Sequence, residues 1–384
     1  MQKTPWGLVL VLWGAGLAAA AQYGKFSVTY HLLPAVYPDA GALLAFVVSV
    51  VGFVGIVLGI VAGLVVARVR YRRALLWALW TGAALSVFQA FLPPLPWLLA
   101  SRLLEGVSHL AIVVAAPTLI AYLCAPADRG LALTLWGTFF AVAFALLAWA
   151  GLPLVATMGL PALFVFHGAY MAGCALLLGA RLRGLDIGIP PVISMAQMLR
   201  DHVHIYSDPR ISAPAFGWLF YTFCFVSILT VLPPFLDPKL RGLVMGAIPL
   251  VGILASMTVG VWMLRFASPV TVIQLGFGSA IVAMLWLWAL PGAPLACMAL
   301  AAAMGLVQGA SFAAVPYLNA QPAQQAQANG AMAQMGNLGN TIGTPIMAFG
   351  LAAFGYSGLP LFAGAAFLCG ALVHMTLAYR RRAT

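Results

Sequence analysis

Residues 101–118, SRLLEGVSHLAIVVAAPT, place Arg102, Glu105 and His109 in an otherwise apolar run. On an α-helix each residue advances about 100° and 1.5 Å, so Arg102 and His109, seven positions apart, fall within about 20° and roughly 10 Å of each other. Glu105 lies on the adjoining ridge, within pairing reach of Arg102. The three make one polar face. A carboxylate held between a buried setting and a neighbouring arginine can load and unload a proton as its surroundings change, and an imidazole is a second proton carrier. The same residues also fit a plainer arrangement, a satisfied structural ion pair beside a core histidine. Gly106, next to the pair, admits close approach of a neighbouring helix or a substrate.

Lys25 is the other ionisable residue embedded in apolar sequence, within Gln22-Tyr23-Gly24-Lys25. It either snorkels to the membrane interface or joins Arg102 in an electropositive surface that favours an anionic substrate, with Gln22 beside it. The C-terminal part carries amides and hydroxyls in place of charge. Gln334, Asn337, Asn340, Thr341 and Thr344 recur at three- and four-residue spacing, beside the small residues Gly336, Gly339 and Gly343. Such a stripe lines a passage or hydrogen-bonds between helices. Gln308 is a further candidate contact. His31, His167 and His374 have no partner that the sequence identifies, and they read as structural.

These residues sit in a membrane protein. The chain has 384 residues, 64% of them hydrophobic and only 7% charged, with a mean hydropathy of +1.05. Soluble domains run near 45–50% apolar and 25% charged. A charged side chain at mid-bilayer costs at least about 2.5–3.5 kcal/mol, so such groups face a protein interior or a watery cavity. The formal charge of +11 is assigned to membrane orientation and not to nucleic acid, because the basic residues fall mostly between apolar segments. Five cysteines (124, 174, 224, 297 and 369) lie scattered with no CxxC, which excludes a disulfide framework and a zinc pattern. GxxxxGK, GxGxxG, GxSxG and HExxH motifs are absent. ATP-driven transport through this chain is therefore excluded, an enzyme is the least favoured class, and no cofactor is expected.

A spanning helix needs about 20 apolar residues. Spans are expected near 6–33, 40–67, 73–92, 96–123, 129–151 and 159–181, then near 211–235, 240–264, 269–290, 293–318, 329–354 and 358–379. The fold class is all-α integral membrane, with 12 transmembrane helices in two six-helix bundles related by pseudo-two-fold symmetry. The bundles cover 1–181 and 211–384. The connection 182–210, with Pro190-Pro191, holds an amphipathic segment in which Met195, Met198, Leu199, His202, Val203 and Tyr206 fall at helical spacing. That segment is expected to lie on the cytoplasmic membrane surface. With both termini cytoplasmic, 14 of the 18 basic residues fall inside, as the positive-inside rule requires. The first span also resembles a signal peptide, but cleaving it would put basic loops on the wrong side, so it is read as retained.

The halves look like distant copies. Gly63 to Arg68 matches Gly260 to Arg265, Glu105-Gly106-Val-Ser matches Gln308-Gly309-Ala-Ser, and Arg129-Gly130 matches Asn329-Gly330, at offsets of 197, 203 and 200. Twelve spans, a central loop and this repeat together resemble the major facilitator superfamily of secondary transporters. The loop Gly63-Leu-Val-Val-Ala67-Arg68-Val-Arg70-Tyr-Arg72-Arg73 is similar to the superfamily's basic motif after span 2, with Ala67 in place of the usual acid and Arg70 in place of the usual second glycine. Arg102-Leu-Leu-Glu105-Gly106 is similar to its span 4 motif. The resemblance gives Gly63, Arg68, Arg72, Arg73 and Gly106 conformational roles. Span 5 lacks the GP pattern of drug–proton antiporters, which favours uptake.

The resemblance thus implies alternating-access, proton-coupled symport of a small polar, possibly anionic, organic solute. The expected setting is a monomer in a bacterial inner membrane, with protons and the lipid bilayer as partners and no nucleic acid. One alternative is a copper importer of the same superfamily, although the chain has no MxxxM and a single HxxxM, His167 to Met171. The other is a non-transporting receptor or assembly factor, for which the altered basic loop is the support.

Overall fold

The computed structural model describes residues 3–185 and 195–383; Pro190-Pro191 lies outside the described residues. Every regular element among them is helical. The chain divides into two compact units, Met1–Val192 and Ile193–Thr384.

The first unit contains α1 (Trp6–Val28), α2 (Val51–Val69), α3 (Tyr71–Ala90), α4 (Leu95–Leu123), α5 (Phe139–Met158) and α6 (Leu160–Arg181). The second opens with the short α7 (Met195–Ser207). It continues with α8 (Ser212–Val231), α9 (Arg241–Met263), α10 (Pro269–Ala289), α11 (Pro294–Leu318), α12 (Pro322–Phe354) and α13 (Gly358–Ala383). Proline stands in the first turn of α4, α6, α10, α11 and α12, where its missing N–H has no intrahelical partner to lose.

Among the described residues nine helical stretches are long and apolar enough to cross a membrane, and ten if the bent pair Pro38–Ser49 and Val51–Gly59 is one span. One of the nine, Ala323–Arg382, holds both α12 and α13, which the Gly355–Ser357 turn separates. The 20-residue α3 is also long enough to span. All twelve expected spans therefore correspond to helices.

Two differ in shape from the expectation. The second span is bent by 47° between Ser49 and Val51. The fifth runs on to Met158 through a wide turn at Leu147–Gly151.

The core of the first unit is built on α1. Val9, Leu12, Ala15, Ala18 and Ala19 pack against Leu75 and Leu79 of α3, Ile112 and Ala116 of α4, and Met171 and Leu178 of α6. Lipid tails are as apolar as leucine, so close van der Waals packing of small residues, and not hydrophobic transfer, holds such helices together. Ala18, Ala19 and Ala20 of α1 are fully buried.

Candidate functional site

α1, α3, α4 and α6 meet around one buried polar cluster. Lys25 of α1 does not snorkel: it is fully buried, and its ammonium donates to Glu105 Oε1 at 2.7 Å. Its other two N–H groups reach Ser86 Oγ at 2.9 Å and His167 Nδ1 at 3.3 Å. All three lysine donors are therefore used. Glu105 Oε2 accepts from Arg102 Nη1 and, at 2.8 Å, from Gln89 Nε2. Gln89 also donates to Ser101 Oγ at 3.0 Å.

The tautomer of His167 follows from its partners. Nε2 lies 2.9 Å from the carbonyl of Ala18, which can only accept. Nδ1 faces an ammonium, which can only donate. His167 therefore carries its proton on Nε2 and is neutral. The cluster holds two cations, one carboxylate and one neutral imidazole, an excess of one positive charge.

Arg102 does more than pair with Glu105. Its Nε donates to the carbonyl of Val47 at 2.7 Å, and Nη2 reaches that of Val48 at 3.4 Å. The helix Leu44–Ser49 stops just before the 47° bend, and the last carbonyls of a helix have no intrahelical donor. The guanidinium supplies those donors, while its carbon sits 4.5 Å from the centre of the Phe26 ring. Arg102 thus ties the bend in the second span to the charge cluster.

Gly106 gives α4 its close approach to the same region. A side chain there would meet the carbonyl oxygen of Val51 at 2.5 Å and Val54 Cγ2 at 2.8 Å. The glycine serves a neighbouring helix.

His109 does not join the pair; its Nδ1 donates to the Ala19 carbonyl at 3.0 Å and its ring meets Tyr23 edge-on. Gln22 Nε2 donates to Ser108 Oγ at 2.9 Å. Three buried polar atoms here lack any partner: Gln22 Oε1, the Tyr23 hydroxyl and Gln89 Oε1. Buried polar groups are seldom left unpaired without a water or ligand to meet them.

The profile of the Major Facilitator Superfamily matches residues 9–240. The chain belongs to that superfamily. A comparison with curated protein sequences gives no significant match. Among solved structures, a bacterial homolog of the human lysosomal transporter Spinster, inward-facing and unoccupied, superposes with a TM-score of 0.77 at 13% identity, over 97% of this chain and 96% of that one. The nucleoside transporter NupG gives 0.75 at 14% identity, over 96% and 99%. The xylose transporter XylE from E. coli gives 0.74 at 14%, over 97% and 95%. At such identities the likeness shows the fold. As a member of the superfamily the chain is a secondary transporter in a membrane, acting on a small molecule, and not an enzyme.

The superfamily's basic loop is visible in outline. Arg68 closes α2, and Arg72 Nη2 donates to the Gly179 carbonyl at 3.1 Å, fastening the start of α3 to the end of α6. Arg73 is exposed. Arg70, standing where a glycine is usual, takes φ +76°, a conformation that costs a side-chain-bearing residue about 1–3 kcal/mol. Gly63 lies on α2, with its surroundings outside the described residues.

In the second unit Gln308 Oε1 accepts from the Tyr221 hydroxyl at 3.2 Å. Gln334 Oε1 accepts from Tyr206 at 2.7 Å, which ties α12 to the amphipathic α7. Burial pushes the Tyr206 phenol up to about 12, so it remains a donor at neutral pH. Asn337 and Thr341 bond back along their own helix, to the carbonyls of Ala333 at 3.0 Å and Asn337 at 2.7 Å. Asn340 Oδ1 is buried and unpartnered. Gly336, Gly339 and Gly343 pack α12 onto Trp218, Leu219 and Phe223 of α8. On α7, Met195, Met198 and Leu199 have side chains outside the described residues; Val203 of the apolar stripe is 67% exposed, while Tyr206 of the same stripe packs with Ile205 against the core of the second unit.

Sequence reasoning missed Ser86, Gln89 and the part played by His167. Ser86 and Gln89 stand three apart on α3, a polar ridge that was available to find. His167 has both ring nitrogens committed, and Met171 Sδ faces Gln22 Nε2 at 4.0 Å. No group of three or more metal-binding side chains of the His, Cys, Asp and Glu kinds occurs among the described residues.

Proposed function

We propose that this transporter takes up a small polar organic anion together with protons by alternating access. It does so as a monomer in a bacterial inner membrane, with both termini cytoplasmic. The observation that carries the reading is the buried Lys25–Glu105–Arg102 cluster, whose two cations face one carboxylate. An unneutralised charge inside a membrane protein is costly and marks a substrate or proton pathway by default.

Glu105 is the proton-carrying group in this reading. Protonation removes the cluster's one negative charge, loosens Lys25 and Arg102, and releases α1 and the bend of the second span from α4. The unpaired Gln22 Oε1 and Tyr23 hydroxyl beside Lys25 support a route by which water or a solute reaches it. In the second unit Gln308, Gln334, Asn337, Asn340 and Thr341 are assigned polar contacts with the solute.

Proteoliposome uptake with an imposed pH gradient tests the reading. Organic anions, but not neutral solutes of similar size, should accumulate when the outside is acid. Glu105→Gln should lose gradient-driven accumulation yet keep solute exchange. Accumulation of neutral solutes, or an unchanged response to the gradient in Glu105→Gln, would sink it.

A further inference from the structure

His374, on α13 in the second unit, is a titratable group for which the proposed transport cycle has no use. It is fully buried, and neither ring nitrogen has a hydrogen-bond partner. A neutral imidazole carries one N–H donor and one acceptor, so both go unmet. Buried polar groups are seldom left in that state.

The ring is wedged between helices. Nε2 lies on the backbone of α8 at Gly217, where any side chain would collide with it and would meet Cδ2 at 2.8 Å and Cε1 at 3.1 Å. The Phe277 ring of α10 flanks it at 6.4 Å between centres, and Phe277 lies 6.2 Å from Phe367 of α13. Gly217 thus makes the room that the imidazole fills.

This seat has nothing to hold an imidazolium. No aspartate or glutamate occurs anywhere in α8 to α13. The titratable side chains of α8 are Tyr221 and Cys224, and α10 and α12 have none. On α13 itself stand Cys369, Tyr379 and Arg380 to Arg382. Arg381, seven residues after His374, shares its face about 10 Å along the helix, and its charge opposes a second cation. Asp208 precedes α8, and its Oδ1 accepts the backbone N–H groups of Arg210 and Ile211 at 2.6 and 3.3 Å. A protonated ring here would have two donors, no acceptor and no counter-ion, a costly state. It forms only when α13 parts from α8 and water reaches the ring.

We infer that His374 is a proton-binding site through which acid unseats α13 from α8. In the closed packing the ring is neutral. Once parted, it takes up a proton as an imidazole in water does, near pH 6.5. The parted form then holds one proton more than the closed form, so falling pH favours it. This proton is separate from the one assigned to Glu105, and it acts on the packing of the second unit.

Cys224 is a built-in reporter. It is fully buried on α8, seven residues after Gly217 and on the same face, and its Sγ donates to the Ala363 carbonyl of α13 at 3.9 Å. The test treats the full-length protein in detergent with dithiodipyridine at pH 7.5, 6.5 and 5.5. Each labelling rate is divided by that of the unfolded protein at the same pH, and mass spectrometry identifies the cysteine. Relative labelling of Cys224 should rise about tenfold from pH 7.5 to 5.5, most of it below pH 6.5. His374→Gln and His374→Leu cannot take the proton and should show no rise; having two variants guards against one that folds poorly. Cys297 of α11, equally buried, should not follow Cys224. A flat response in the wild type, or a rise retained in a folded His374 variant, would overturn the inference. So would labelling of Cys297 in step with Cys224, because the whole unit would then be unfolding.

Discussion

Replacing Glu105 by glutamine should be far more damaging than removing Lys25. The lysine nitrogen lies 2.7 Å from Glu105 Oε1, and Arg102 is bonded to the other oxygen. At an effective dielectric constant of about 20 a pair at this distance attracts by about 6 kcal/mol, against which stand the desolvation costs of the two ions. Removing one partner of a buried pair typically costs about 3–5 kcal/mol, because the other charge stays behind unpaired. Glu105→Gln strands two cations at once and belongs at the upper end of that range. Lys25→Met strands none: Arg102 and Glu105 remain as a neutral pair, Ser86 and His167 still meet at 2.9 Å, and the cost falls to the buried Glu105 Oε1 left without its donor, about 1–3 kcal/mol. For a unit of this size 1 kcal/mol moves the unfolding temperature by about 2–4 °C. Thermal unfolding in detergent should therefore show Glu105→Gln falling by roughly 10–20 °C and Lys25→Met by a few degrees. The double variant should unfold at a higher temperature than Glu105→Gln alone, since one stranded cation has gone. Equal, small effects of both single variants would refute the argument, because they would mean that water already screens the cluster.

Arg102→Lys keeps the positive charge but gives up the guanidinium's reach to Val47 and Val48. It should cost about 1–3 kcal/mol for the buried carbonyls left without donors, read by thermal unfolding, and should slow uptake. In Gly106→Ala the new methyl group meets the Val51 carbonyl oxygen at 2.5 Å. Such overpacking costs about 1–3 kcal/mol, and unfolding at the wild-type temperature would contradict the close contact of α4 with α2. Tyr206→Phe removes the bond to Gln334 and should lower stability by about 1 kcal/mol, with faster protease cleavage around α7 as the readout.

Much of the fold was legible because a membrane span announces itself by length and apolarity. The site was legible only where its members are neighbours in sequence. Arg102 and Glu105 stand three apart on one helix, and geometry pairs them without further information. Lys25 reaches Glu105 across 80 positions and His167 across 142, so their meeting depends on the rotation and depth of α1 within the bundle. A lone histidine on an apolar helix carries no periodic signal, which is why His167 read as structural. The bend in the second span was hidden for a different reason. Residues 44–54, LAFVVSVVGFV, contain no proline, and the carbonyls that the bend frees are satisfied from another helix. On α12 the spacing of the polar stripe was plain, but two of its five residues, Asn337 and Thr341, bond to their own helix's backbone.

The internal repeat links these observations. Lys25 on α1 bonds to Glu105 on α4, and Tyr221 on α8 bonds to Gln308 on α11. α1 and α4 are the first and fourth spans of one unit, and α8 and α11 are the first and fourth of the other. The following glycine packs the fourth span against the second in both: Gly106 against Val51 and Val54, Gly309 against Ser256. The two units thus share this helix contact and differ in its chemistry, an ion pair in one and a phenol–amide bond in the other. A neutral pair of that kind gains and loses no proton near neutral pH, whereas a carboxylate between two cations changes the charge of its whole surroundings when it does. If a proton drives this transporter, the repeat argues that it acts on the first unit alone, through Glu105, while the second unit keeps the same helix contact at constant charge.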